Sequence, residues 1–234
     1  MQPVKIAVIG DYNPQVTAHR AVERSLQLLS ADMDRVRPLE WNWIGTSELT
    51  NDVAEMLSGF DGIWCVPASP YKNADGAIAA VEVARTTNKP FLGTCAGCQH
   101  AILEYARNVL GIVDAENVED HPDAAVPLIS PLLCSLVELD DEIHFTAGSR
   151  VGKIYGKDRA NETYHCRFGL NPNLEHLLSG SELEITGRDK NGEARAYEIK
   201  SQKFYILTQY QPERSALAGK VHPLVEAFVK AARG

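Results

Sequence analysis

Between residues 4 and 109, short apolar runs alternate with stretches of helical spacing, and this rhythm narrows the fold more than any other feature. Val4–Ile9 is apolar and β-branched and closes on Gly10, which predicts a buried first strand. Val22, Leu26 and Leu29 follow four and three apart, the spacing of one helix face. Leu39, Trp41 and Trp43 alternate as a strand requires, with the tryptophans read as core residues. Residues 53–57 read as helix, 62–66 as a strand ending at Pro67, 76–85 as helix, and 89–92 as a fourth strand. Ala101, Ile102, Tyr105 and Val109 then mark another helix. Strands separated by helices with short links make a parallel sheet with right-handed crossovers.

The second half has a different texture. Residues 122–131 are proline-rich and predict irregular chain, whereas 182–186, 194–199 and 204–208 read as strands. Asp189-Lys190-Asn191-Gly192 between two of them marks a hairpin turn. Leu224 and Phe228 share one face of a closing helix that starts near His222. No repeat, low-complexity tract or linker interrupts the chain, so residues 1–234 are expected to form one domain with a mixed sheet.

Composition bounds the function. A formal net charge of -8 argues against a general nucleic-acid binder, which carries a basic face. The opening apolar run is too short for a membrane span, and nothing ahead of it resembles a secretory signal. Five cysteines, at 65, 95, 98, 134 and 166, form an odd set in a long chain, so no disulfide framework is expected. These features predict a soluble cytoplasmic protein.

Chemistry concentrates at Gly93-Thr94-Cys95-Ala96-Gly97, between a predicted strand and a predicted helix. A nucleophile on a sharp strand-to-helix turn needs small neighbours because the backbone there is crowded. The helix N-terminus lowers the thiol pKa, and the Ala96 N–H is placed to stabilise an incipient oxyanion.

From this elbow outward the sequence resembles the class I glutamine amidotransferases, and among them the glutaminase domain of CTP synthase. The resemblance runs from the first strand to the last helix. It is most specific from Cys95 through Gln99, Glu104 and Arg107 to Gly111 and on to Glu119. Ala84-Arg85, Asn88 to Gly93, Arg167 to Asn171, His222-Pro223-Leu224 and the stretch from Phe228 to Ala232 also match. It implies a flavodoxin-like α/β fold, a mainly parallel mixed sheet flanked by helices, with an antiparallel extension in the C-terminal half. It further implies that Gln99, Glu119 and Arg167 grip a glutamine-like substrate. That assignment is chemically sound, because an ammonium seeks a carboxylate and a carboxylate seeks a guanidinium fork.

Three departures cluster at the same place. The family closes its triad with His-Pro-Glu, but here Gln211, Pro212 and Glu213 occupy the segment, so an amide that cannot titrate replaces the base. Pro67, Ala68 and Ser69 replace a Pro-Gly-Gly turn whose backbone completes the oxyanion hole, and Ala takes glycine's angles reluctantly. Ala96 stands where leucine is usual. His165, two residues before Arg167 on a predicted strand, shares its face and is a candidate substitute base; the simpler reading is a histidine at the pocket rim. His100 is expected to pack or to face solvent.

Three hypotheses remain. The first is Cys95-dependent hydrolysis of glutamine or a related γ-glutamyl amide with an altered triad. The second is a catalytically silent homologue that binds a small molecule or a synthetase partner. The third is a dithiol redox protein using Cys95 and Cys98 at Cys-x-x-Cys spacing, against Cys98 as a filler of a hydrophobic niche. No metal site or cofactor is expected, because no second Cys/His pair stands at ligand spacing. No phosphate loop is present, since Gly148, Gly152 and Lys153 have the wrong spacing. Alone the chain is not expected to make CTP; a separate synthetase partner is one option, and no sequence feature identifies it.

Overall fold

The computed structural model describes residues 2–32 and 38–234, with the side chains of residues 32 and 133–138, Cys134 among them, outside the described set. Its first half follows the predicted rhythm: β1 (Val4–Ile9), α1 (Thr17–Asp32), β2 (Leu39–Ile44), α2 (Val53–Ser58), β3 (Gly62–Cys65), α3 (Ala74–Thr86), β4 (Phe91–Thr94) and α4 (Ala96–Asn108). Then come β5 (Ala115–Asn117), β6 (Val126–Phe145), α5 (Arg150–Tyr155), β7 (Arg159–Leu170), β8 (Leu183–Asp189), β9 (Ala194–Ile199), β10 (Tyr205–Thr208) and α6 (Pro223–Arg233). Short 3-10 segments occupy Thr46–Glu48, Pro172–Leu178 and Pro212–Ala218.

All strands join one sheet in the order β2-β1-β3-β4-β10-β9-β8-β6-β5, with β7 paired to β6 off this path. The β2, β1, β3, β4 and β10 strands are mutually parallel, and β10 turns antiparallel to β9. Alternation along each strand feeds two cores. Ala7 and Ile9 join Ile63, Phe91 and Leu207 under α3 and α4, while Ile6 and Val8 join Trp64, Leu92 and Ile206 under α1 and α6. Trp64 is fully buried, whereas Trp41 and Trp43 are only half-buried and donate their indole N–H groups to Glu23.

One further expectation needs correction. Residues 126–131 are not irregular but open the long strand β6. Proline is tolerated there because the β6–β7 ladder loses register just after Pro131. The hairpin at Asp189 forms as expected: its carboxylate accepts from the Asn191 and Glu193 N–H groups, and Gly192 takes φ +83°. Helices are tied down by specific polar contacts as well as by packing. Arg85 on α3 meets Glu104 on α4 through Nε and Nη2, and Glu104 is fully buried. His222 caps α6 by accepting the Leu224 N–H on its ring nitrogen at 3.1 Å.

Candidate active site

The site lies at the carboxyl ends of β3, β4 and β10, where the parallel half of the sheet meets the antiparallel half. Crevices form at such positions because successive loops diverge there. Cys95 caps the 13-residue helix α4 with φ +51° and ψ -108°, a conformation that strains a residue with a side chain. Its N–H donates to the Thr208 carbonyl at 2.8 Å, and its carbonyl accepts from the Gln99 N–H at 3.1 Å. The small neighbours are dictated by contact. A Cβ at Gly97 would lie 2.0 Å from the Cys65 carbonyl oxygen, and one at Gly93 would lie 2.9 Å from that of Gly97. The elbow therefore seats directly on β3.

Cys95 opens onto a cavity of about 420 Å³. Of the residues singled out from sequence, Ala68, Ser69, Gln99, Glu119, His165, Arg167 and Gln211 also line it. Ala96 and Glu213 do not; both are fully buried behind the wall. Sequence reasoning missed Cys166, Phe168, Arg214 and the segment 15–18 at the start of α1, all of which contribute to the lining.

The loop after β3 departs from expectation. Ala68 adopts φ +89°, the region glycine favours, despite carrying a Cβ. Holding an L-residue there costs about 1–2 kcal/mol, so something must over-determine the turn. Buried His19 does so: its Nε2–H donates to the Pro67 carbonyl at 3.0 Å while Nδ1 accepts the Asn13 N–H at 2.9 Å. That tautomer is neutral, and burial holds the His19 pKa below its usual value.

Glu119, Gln99 and Gln211 line the other walls. Burial raises the pKa of half-buried Glu119, with a Ser69 hydroxyl contact and the Arg167 charge acting in the opposite sense. Gln99 and Gln209 both donate Nε2–H to the Phe168 carbonyl, at 2.8 and 2.7 Å, and leave their side-chain oxygens unpartnered. The buried Gln211 side-chain oxygen is likewise unpartnered. Behind it, burial pushes the Glu213 carboxyl up to about 8, with Arg214 and the Thr94 hydroxyl offsetting only part of the effect. At neutral pH Glu213 is therefore mostly an uncharged acid.

Of the two histidines singled out near the elbow, His165 lies exposed at the cavity lining and His100 packs in the core. His165 and Arg167 share a face of β7 that is exposed where it lines the cavity, and the His165 carbonyl oxygen lies 3.7 Å from Cys95 Sγ. His100 does not face solvent; it is fully buried against Tyr71, its Nδ1–H bonded to the Ala96 carbonyl at 2.8 Å. The cysteines differ most. Cys95 is paired in a disulfide with Cys166 on β7, across a sequence separation of 71, a single link among the described residues rather than a framework. Cys98, the partner that Cys-x-x-Cys spacing offered, is a free thiol sealed in the core. It belongs to the core cluster under α3 and α4 and is not among the residues lining the cavity. Among the described residues no group of three or more His, Cys, Asp or Glu is arranged to hold a metal, and no helix is long and apolar enough to cross a membrane.

Comparison with known proteins fits this geometry. The family model for glutamine amidotransferase class-I matches residues 32–231. The CTP synthase of Saccharolobus solfataricus is 30% identical over 240 residues, covering 97% of this chain and 44% of that protein. That of Synechococcus sp. is 30% identical over 241 residues, covering 98% and 43%. The chain thus spans less than half the length of these relatives. Among solved structures, the glutaminase domain of Trypanosoma brucei CTPS with bound acivicin superposes with a TM-score of 0.86 at 24% identity, covering 98% of this chain and 94% of that one. A glutamine amidotransferase from Thermotoga maritima gives 0.57 at 10% identity, covering 98% and 96%. Both likenesses carry the fold.

Proposed function

The chain belongs to the class I glutamine amidotransferase family, and from that premise we propose that its cavity binds glutamine or a related γ-glutamyl amide and attacks it with Cys95. The observation that carries this reading is the strained elbow itself, which presents Cys95 to a cavity also lined by Gln99, Glu119 and Arg167. In the reduced protein the Cys95 thiolate would add to the amide carbon. The Ala96 N–H at the start of α4 and the backbone of the Ala68-Ser69 turn would receive the oxyanion. Glu119 would pair with the substrate ammonium, and Arg167 with its carboxylate. His19 supports the turn, since its bond to Pro67 holds the backbone from which one donor comes.

Departure of ammonia is the difficult step. General acid–base catalysis contributes about 10²–10⁴-fold, and Gln211 can neither take the thiol proton nor deliver it to the leaving amine. Ordinary glutaminase turnover is therefore weak, and substrates with better leaving groups than ammonia gain most. Because the chain covers less than half of each CTP synthase relative, an ammonia-accepting synthetase would be supplied by a separate polypeptide or by a further part of a longer protein.

The test is ammonia release from glutamine and a panel of γ-glutamyl amides under excess dithiol, comparing wild type with Cys95→Ala. Slow, Cys95-dependent turnover on at least one amide is expected; none on any of them would sink the reading. One observation favours a second reading, a site that binds without turnover: the triad position carries an amide, which cannot titrate. Calorimetric binding of glutamine to Cys95→Ala, together with no turnover by wild type, would establish it.

A further inference from the structure

The bond between Cys95 and Cys166 ties the elbow to a strand from the other half of the fold. Their Cα atoms lie 6.4 Å apart, within the range over which a disulfide closes and opens without moving backbone. Both residues line the cavity, so a small reagent that enters it meets both sulfurs. Each sulfur also faces a carbonyl that can accept a thiol hydrogen once the bond is reduced: Cys95 Sγ lies 3.7 Å from the His165 oxygen, and Cys166 Sγ 3.2 Å from the Gln209 oxygen. The other described cysteines have no such access. Cys65 and Cys98 are fully buried, Cys65 against the Tyr71 hydroxyl at 3.5 Å.

We propose that Cys166 is the resolving thiol of Cys95, giving the pocket a reversible two-thiol redox activity toward hydroperoxides. The amidotransferase reading is not required for it. Sulfur of Cys95 attacks the outer oxygen of the hydroperoxide, and the O–O bond breaks. The sulfur becomes a sulfenic acid, while the peroxide is reduced to alcohol or water and takes up the thiol proton. Cys166 sulfur then attacks the sulfenic sulfur, the S–O bond breaks, and the hydroxyl leaves as water with the Cys166 proton. A soluble dithiol restores both thiols in two exchange steps and is itself oxidised to a disulfide. The absence of an acid at position 211 hampers loss of ammonia but not this chemistry, because the weak O–O bond breaks with the proton that the thiol itself supplies. Closure of the bond also withdraws the nucleophile from any amide, so the two activities exclude one another in time.

Peptide mapping by mass spectrometry tests this without reference to turnover. Reduced wild type, freed of reductant, is treated with one equivalent of hydrogen peroxide and its remaining thiols are blocked. The expected product is a Cys95–Cys166 cross-linked peptide, with iodoacetamide labelling of Cys95 lost and then regained with dithiothreitol. Cys166→Ser should instead accumulate a sulfenic acid on Cys95, trapped by dimedone, and Cys98→Ser should behave as wild type. A Cys95–Cys98 link in wild type, or Cys95 passing to sulfinic acid as fast in wild type as in Cys166→Ser, would overturn the proposal. Because the wild-type map needs no variant to fold and no amide substrate, its outcome is independent of the amidase assay.

Discussion

At the scale of single residues, the site is defined by what surrounds Glu213. A buried carboxylate is tolerable beside a cation, but Gln211 supplies none, and the acid answers by keeping its proton. This has a measurable sign. A carboxyl raised from 4.5 to about 8 by folding favours the native state fully below 4.5, and that advantage disappears as pH rises to about 8. Across this window Glu213 should lower stability by up to about 1.4 kcal/mol per pH unit. Glu213→Gln should abolish that slope, read as the difference between the two proteins' denaturant midpoints from pH 5 to 9. His19 acts oppositely: its depressed pKa means that stability is complete above 6.5 and is lost as pH falls below it, in wild type and variant alike. A slope unchanged in Glu213→Gln would show that the carboxyl is charged in the folded protein.

At the scale of elements, the elbow depends on close seating of α4 against β3. Gly97→Ala places a methyl 2.0 Å from backbone that has no room to retreat, so a loss of more than about 3 kcal/mol is expected in urea unfolding. A loss under 1 kcal/mol would mean that β3 and α4 slide freely. Arg85→Ala leaves the fully buried Glu104 carboxylate without its cationic partner, with only the Asn108 amide still donating to it, and should cost about 3 kcal/mol. These elements were legible in sequence because their signals are local: apolar alternation, helical spacing, and glycines flanking Cys95. What escaped is non-local. Pro127 and Pro131 read as breakers, yet β6 accommodates Pro127 in the irregular stretch of its pairing with β5 and Pro131 beside the register shift of its ladder with β7. Cys166 gave no signal, because its neighbour is 71 residues away and only the return of β7 past the elbow brings them together. Ala68 misled for a related reason: the His19 bond that holds its backbone reaches 48 residues back to α1.

At the scale of the whole molecule, a parallel half supplies Cys95 and the Ala68-Ser69 turn, and an antiparallel half brings Cys166, Arg167 and Phe168 to the same cavity. The chain belongs to the class I glutamine amidotransferase family, and of the three departures read from its sequence Gln211 is the one our proposal holds responsible for weak turnover, so restoring a histidine there is the direct test of the account. Gln211→His should place an imidazole between Cys95 and Glu213, and the pairing should draw the Glu213 proton off and return acid–base catalysis worth about 10²–10⁴-fold. The decisive measurement is the rate of ammonia release from glutamine by fully reduced wild type, Gln211→His, and Gln211→His combined with Cys95→Ala. The account predicts weak wild-type turnover, a rise of at least about 10²-fold in Gln211→His, and complete loss in the double variant. Equal rates in all three proteins would contradict it.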